Sequence, residues 1–286
     1  MKIKLLLLLI IVSMFASLVV LSSCQNSAIS SEPKIVGTLP IVSSIAEQIV
    51  NNTPIKTVSV LKGTENPHTY DLKPQDAILF SRASLILSVG GIDSWASKII
   101  NSSNITSMSL LAFEKNPIKN NPHIWFDFNA VLNFSKNLTD YLSKKYPQYK
   151  SNFEENYASF SLKLKNIKKS YNLSSKRVAQ IAPTFNYLFR EFSINDTATL
   201  LSDPEAEATI NQIIAFISEL KKNNVSCVVN NELLGTKYSD IVSEKGFDIV
   251  ELSPFVGPVF SENIISLYKN DLNNIKNCTS LGTKVR

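Results

Sequence analysis

Short apolar runs alternate with stretches of helical spacing along most of this chain. Residues 34–39 form such a run, stopped by Pro40, and residues 42–50 follow with Ile45 and Ile49 one helical turn apart. Residues 55–61 alternate as a strand with Val58 and Val60 on one face. A helix over 73–83, opened by Pro74, and a buried strand over 84–89, broken by Gly90 and Gly91, complete this first series. Past Asp127 the spacing predicts a helix of about twenty residues ending near Tyr146. Phe153, Tyr157, Phe160, Leu164 and Ile167 then mark a narrow apolar stripe on an otherwise polar helix over 149–173. At 1.5 Å per residue it is roughly 37 Å long, which suits a bridge between two lobes as well as an ordinary amphipathic core helix. The alternation then restarts, with strands over 177–182, 197–202, 225–229 and 247–252 and helices over 184–192, 209–222, 237–245 and 261–275.

Helices that alternate with β-branched runs predict βα units around parallel sheets, whose ligands gather beyond the carboxyl ends of the strands. The expected fold class is α/β: two lobes, each with a small, mostly parallel sheet flanked by helices, joined by one long backbone helix. The first lobe covers 34–148, the linking helix 149–173 and the second lobe 174–286. A chain of 286 residues is long enough for two such cores, and no short-period repeat is visible.

The N-terminus follows another pattern. Lys2 and Lys4 precede an uncharged apolar run over 5–21, which ends in Leu21, Ser22, Ser23 and Cys24. A positive start, an apolar middle and small residues before a cleavage point predict a secretory signal over 1–23, followed by a polar tether over 24–33. Read instead as an uncleaved anchor, the run is marginal for the ~20 residues a membrane span needs. Either way the rest of the chain lies outside the cytoplasm. Leu-Ser-Ser-Cys resembles the lipobox of bacterial lipoproteins, which implies a lipid on Cys24 that holds the protein on the outer face of the cytoplasmic membrane, in the periplasm or at the cell surface.

The net charge of +5 includes Lys2 and Lys4, so the chain without its leader carries +3. Its basic residues are mostly Lys and nowhere form a stripe interleaved with aromatics, which argues against a nucleic-acid partner. Cys227 and Cys278 fall in a compartment where disulfides persist. Paired, they close a loop of about 50 residues, worth up to roughly 4 kcal/mol; unpaired, they are two buried thiols. No CxxC spacing or neighbouring histidine makes them zinc ligands.

The chain contains two histidines, and each directly follows an Asn-Pro pair: Asn66-Pro67-His68 and Asn121-Pro122-His123. Proline fixes its own φ and holds the preceding residue extended, so both imidazoles are presented from stiffened turns. A lone histidine is most often an ordinary surface or core residue. Two in one stiff context point to a shared metal site. Neither an HExxH pairing nor a Ser, His and Asp arrangement supports a zinc hydrolase or another enzyme.

Taken in order, Asn66-Pro67-His68-Thr69-Tyr70-Asp71-Leu72-Lys73-Pro74, Gly90-Gly91-Ile92-Asp93-Ser94-Trp95, Asn121-Pro122-His123-Ile124-Trp125-Phe126-Asp127 and Pro204-Glu205-Ala206-Glu207 resemble the solute-binding proteins of zinc and manganese ABC transporters, closest to the zinc-type members. The resemblance covers essentially the whole chain after the leader. It implies two α/β lobes joined by a long helix, with Zn2+ or Mn2+ as the transported ligand in the cleft between them. It also implies that His68 and His123 are the metal ligands of the first lobe, and that an ABC permease in the membrane is the partner of a monomer. Zinc-type members carry a disulfide in places similar to Cys227 and Cys278. Each ligand imidazole needs an acceptor that fixes its tautomer, and Asp127 is a candidate for that role or for capping the helix it precedes.

The chain departs from the family pattern in the second lobe. The third ligand, normally His or Glu, falls at Ala182, and the fourth, normally Asp, falls at Ser253. Alanine offers no donor atom and a neutral hydroxyl is a poor ligand. Glu205, Glu207 and Glu232, with Asp203 beside them, are the carboxylates near strand ends that could substitute; charges at loops and helix starts otherwise serve solvation. The His-rich loop of many zinc-type members is absent, since residues 113–120 contain no histidine. The expected function is extracytoplasmic capture of a divalent transition metal for an importer. The alternative is a surface adhesin or degenerate paralogue that has lost high-affinity metal binding.

Overall fold

Parallel pairing organises the chain into two sheets with the same strand order. The computed structural model describes residues 34–280 apart from Ser175 and Phe260, so the leader, Cys24 and the tether lie outside the described residues. In the first sheet, β1 (Lys34–Gly37), β2 (Lys56–Ser59), β3 (Leu85–Ser88) and β4 (Ser107–Ser109) run in the order β2-β1-β3-β4. In the second, β5 (Arg177–Gln180), β6 (Asn195–Thr199), β7 (Cys227–Asn231) and β8 (Ile249–Leu252) run in the order β6-β5-β7-β8. Every strand pair is parallel. Each connection must therefore cross over, and the helices do this work.

Helices α1 (Pro40–Val50), α2 (Pro74–Ser81), α3 (Ser97–Ser102) and α4 (Phe128–Lys145) belong to the first series. The long helix α5 (Lys150–Ser170) buries Phe153, Phe160, Leu164 and Ile167 against α1 and α4. It ends earlier than residue 173 because Tyr171 is already extended, at φ −120° and ψ 113°. Helices α6 (Asn186–Glu191), α7 (Ile210–Lys222), α8 (Lys237–Ser243) and α9 (Ile264–Ser280) serve the second sheet. β4 and α3 have no counterpart among the sequence expectations. Ser107, Met108 and Ser109 carry one apolar residue, and only pairing with β3 makes them a strand.

The apolar cores explain why the central strands β1, β3, β5 and β7 read as mostly apolar runs. In β5, Val178 joins a large cluster and Ala179 a smaller one; in β7, Cys227 and Val229 face the large cluster and Val228 the small one. Successive residues thus feed opposite faces of a sheet covered on both sides. The large cluster runs from β1 and α1 through α5 to α6 and α9, so one core spans both sheets. Cys227 and Cys278 form a disulfide that joins the start of β7 to the end of α9. No helix among the described residues is long and apolar enough to cross a membrane.

Asp93 binds the carboxyl ends of β1 and β3 together. Its buried carboxylate accepts hydrogen bonds from the Thr38 hydroxyl at 2.5 Å and from the backbone N–H groups of Val89 and Gly90 at 2.7 and 2.8 Å. Charge-assisted bonds of this kind each contribute about 1.5–3 kcal/mol. Asp93→Asn turns one acceptor into a donor facing other donors, so we expect a loss of at least about 2 kcal/mol in urea unfolding.

Candidate metal centre

Both Asn-Pro-His turns close in the same way. The Asn66 side-chain oxygen accepts from the His68 backbone N–H at 2.9 Å, and the Asn121 oxygen accepts from the His123 N–H at 2.9 Å. This local bond is the Asx-turn that Asn favours. The turns follow the first-lobe sheet and bring the two imidazoles face to face, with ring centroids 5.8 Å apart and planes tilted by 49°. Two imidazoles bound to one ion through nitrogens at about 2.0–2.1 Å have centroids roughly 5–6 Å apart. The pair therefore has the spacing of a shared metal ligand set.

The two rings sit in different surroundings. His123 is 2% exposed and packs edge-on against Trp125. Trp125 is itself buried, donates from Nε1 to Pro254 O at 3.0 Å, and accepts from the Tyr268 hydroxyl through its carbonyl. His68 lies at the exposed mouth of the cleft. Burial, and then the neighbouring His68 ring, push His123 down to about 3. Desolvation also holds His68 below the ordinary imidazole range, against the opposing pull of Glu205 and Asp203. Both rings are thus neutral at pH 7, the state a metal needs.

Asn121, rather than Asp127, fixes the tautomer of His123. The ring Nδ1 lies 2.8 Å from Asn121 Oδ1, an oxygen already identified by the backbone N–H it accepts. Nδ1 must therefore carry the proton, which leaves the Nε2 lone pair free. The Asp127 carboxylate instead caps α4 by accepting from Ala130 N at 2.9 Å, and pairs with Arg190 at 2.5 Å. The Asn-Pro-His motif by itself assigns Asn121 no role, although an Asn two residues before each histidine is a signal visible in the sequence.

Across the cleft, of about 90 Å³, His68 and His123 face Pro204, Glu205, Asn231, Leu233 and Phe255. Glu205 is the one carboxylate in that lining. Its Oε1 accepts from Asn66 Nδ2 at 2.9 Å, and Asp203 holds its backbone by accepting from the Glu205 N–H at 2.9 Å. Glu207 turns away to Lys237, at 3.1 Å. Glu232 accepts from the Ser253 hydroxyl at 2.8 Å, and neither residue lines the cleft. Ala182 is buried in the smaller apolar cluster of the second sheet. Among the described residues, no three His, Cys, Asp or Glu side chains are grouped closely enough to hold an ion as they stand. A larger cavity of about 450 Å³ between α1, β2 and Val256, Gly257 and Pro258 is lined by Glu47 and Glu262 but by no histidine.

The sequence matches the model of the family described as zinc-uptake complex component A, periplasmic, over residues 35–278. The chain belongs to this family. Family members are metal-binding solute-binding proteins of ABC transporters rather than enzymes. The metal ABC transporter substrate-binding lipoprotein SloC of Streptococcus mutans is 26% identical over 241 residues, which cover 74% of this chain and 77% of that one. The manganese ABC transporter substrate-binding lipoprotein PsaA of Streptococcus mitis is 25% identical over 241 residues, with the same coverage. The Zn(II)-bound ZnuA-like domain of AdcA from Streptococcus pneumoniae shares the fold with a TM-score of 0.72 at 21% identity, covering 87% of this chain and 99% of that one.

Proposed function

We propose that this protein captures a divalent transition metal, zinc in the first place and manganese as the rival, and passes it to the membrane permease of an ABC importer. The observation that carries this reading is the facing pair of neutral imidazoles, one with its tautomer fixed by Asn121. His68 and His123 supply two nitrogens. Glu205 supplies the second-lobe oxygen by exchanging its bond to Asn66 for the ion. Glu207 and Glu232 remain engaged with Lys237 and Ser253. A lipid on Cys24 would keep the protein, as a monomer, beside its permease on the outer face of the membrane. Names of relatives as metal transporter lipoproteins support that placement.

Calorimetric titration of the protein without its leader tests capture: saturable heat with Zn2+ or Mn2+ at micromolar concentration is expected. Ala182 and Ser253 favour the second reading, a surface protein whose cleft no longer stores metal; silence in both titrations would select it. Because both ligand rings are held below the ordinary imidazole range, the affinity should fall less between pH 7.5 and 6 than it would for two unperturbed imidazoles. Two ordinary imidazoles with pKa 6.5 would lose about tenfold over that interval, so competition with a chelator at the two pH values reads the difference.

A further inference from the structure

Asn121 does more than close its own turn. While its oxygen serves the His123 N–H and Nδ1, its Nδ2 donates to Pro183 O at 2.7 Å and to Asn186 Oδ1 at 3.0 Å, both beyond β5 in the second lobe. Its amide orientation is settled at both ends: the His123 N–H can only donate, and the Pro183 carbonyl can only accept. Asn186 in turn donates to Asp196 Oδ2 on β6 at 3.3 Å, and Gln180 at the end of β5 donates to the same oxygen at 2.5 Å. The first turn repeats the pattern independently, since Asn66 Oδ1 holds the His68 N–H while its Nδ2 reaches Glu205 of the second lobe.

The geometry points to Asn121 as a positioning residue that couples the His123 ligand to the second lobe, so that metal retention and attachment of the lobes rise and fall together. This rests on the metal-capture reading. A single amide spans the two functions. Its oxygen orients a ligand and its nitrogen grips the opposite strand ends, so loosening the second lobe at Asn186 frees the ring at His123.

Two variants separate coupling from a purely local role. Asn186→Ala touches neither histidine. Asn121→Asp keeps an oxygen for His123 but sets a second oxygen against Pro183 O. A carboxylate on the ring of a metal-bound histidine strengthens binding when it acts only locally. Amide hydrogen exchange is followed on the metal-free proteins, and release of Zn2+ to a chelator on the loaded ones. Coupling predicts that Asn186→Ala speeds exchange at residues 121–126 and that Asn121→Asp speeds it at 184–189. It also predicts that both release Zn2+ faster, each effect being about two- to tenfold, as expected for one or two lost hydrogen bonds. Exchange changes confined to the mutated lobe, no change at all, or unaltered or slower Zn2+ release would overturn the coupling. A wild-type protein that retains no Zn2+ would count against metal capture, and the exchange comparison would then judge the coupling by itself.

Discussion

His123→Ala is expected to abolish stabilisation of the fold by metal, and His68→Ala to do the same. A ligand at one hundred times its dissociation constant stabilises a folded protein by about 2.7 kcal/mol, so wild-type protein should melt several degrees higher with metal than without. Neither alanine variant should shift. With one imidazole gone, the cleft keeps a single nitrogen and Glu205, too few donors for even an open zinc site, which normally keeps three. The two variants should differ without metal. His123 is 2% exposed and its ring packs on Trp125, so its removal leaves a cavity, whereas His68 lies at the surface. Glu205→Gln keeps the side chain's shape and its bond to Asn66 but removes the charge. It should weaken metal binding by at least about tenfold while leaving metal-free stability unchanged, since an anionic oxygen is a much better ligand than an amide. Thermal melts with and without Zn2+ check all three variants.

Cys227→Ala combined with Cys278→Ala should lower stability by up to about 4 kcal/mol, the chain-entropy value for a loop of this size. For a domain of this length that corresponds to a fall of about 10 °C in Tm. The bond joins positions 51 residues apart, at the start of β7 and the end of α9, and both cysteines are buried. Alanine is the better substitute there, because a serine hydroxyl would be buried without an assured partner. Wild-type protein under reducing conditions should reproduce the shift; identical melts with and without reductant would mean the bond contributes nothing. Metal affinity should survive, because neither cysteine lines the cleft.

The architecture was legible because the central strands β1, β3, β5 and β7 are short and mostly buried, and because glycine and proline mark element ends. Pro40 and Pro74 do open α1 and α2, and the stripe Phe153, Phe160, Leu164 and Ile167 is the buried edge of α5. What escaped was fixed by tertiary contacts alone. β4 has a single apolar residue, and α3 offers the core only Ile99 and Ile100, both partly buried, so neither leaves a periodic trace. The two histidines stood out through their repeated Asn-Pro context, a local pattern that a sequence displays well. The same sequence could not rank Glu205, Glu207 and Glu232. Their difference lies in which distant group each one meets: Asn66, Lys237 or Ser253. Asn121 combines both cases, for its bond to His123 is local and its bond to Pro183 spans 62 residues.

Zinc K-edge X-ray absorption on the zinc-loaded protein, wild type beside Glu205→Gln, reads the proposed ligand set directly. We expect two imidazoles bound through nitrogens at about 2.0–2.1 Å, with one oxygen scatterer lost or lengthened in the variant. Absence of imidazole scattering from the wild-type protein, or zinc that washes away before a spectrum is recorded, would contradict that ligand set.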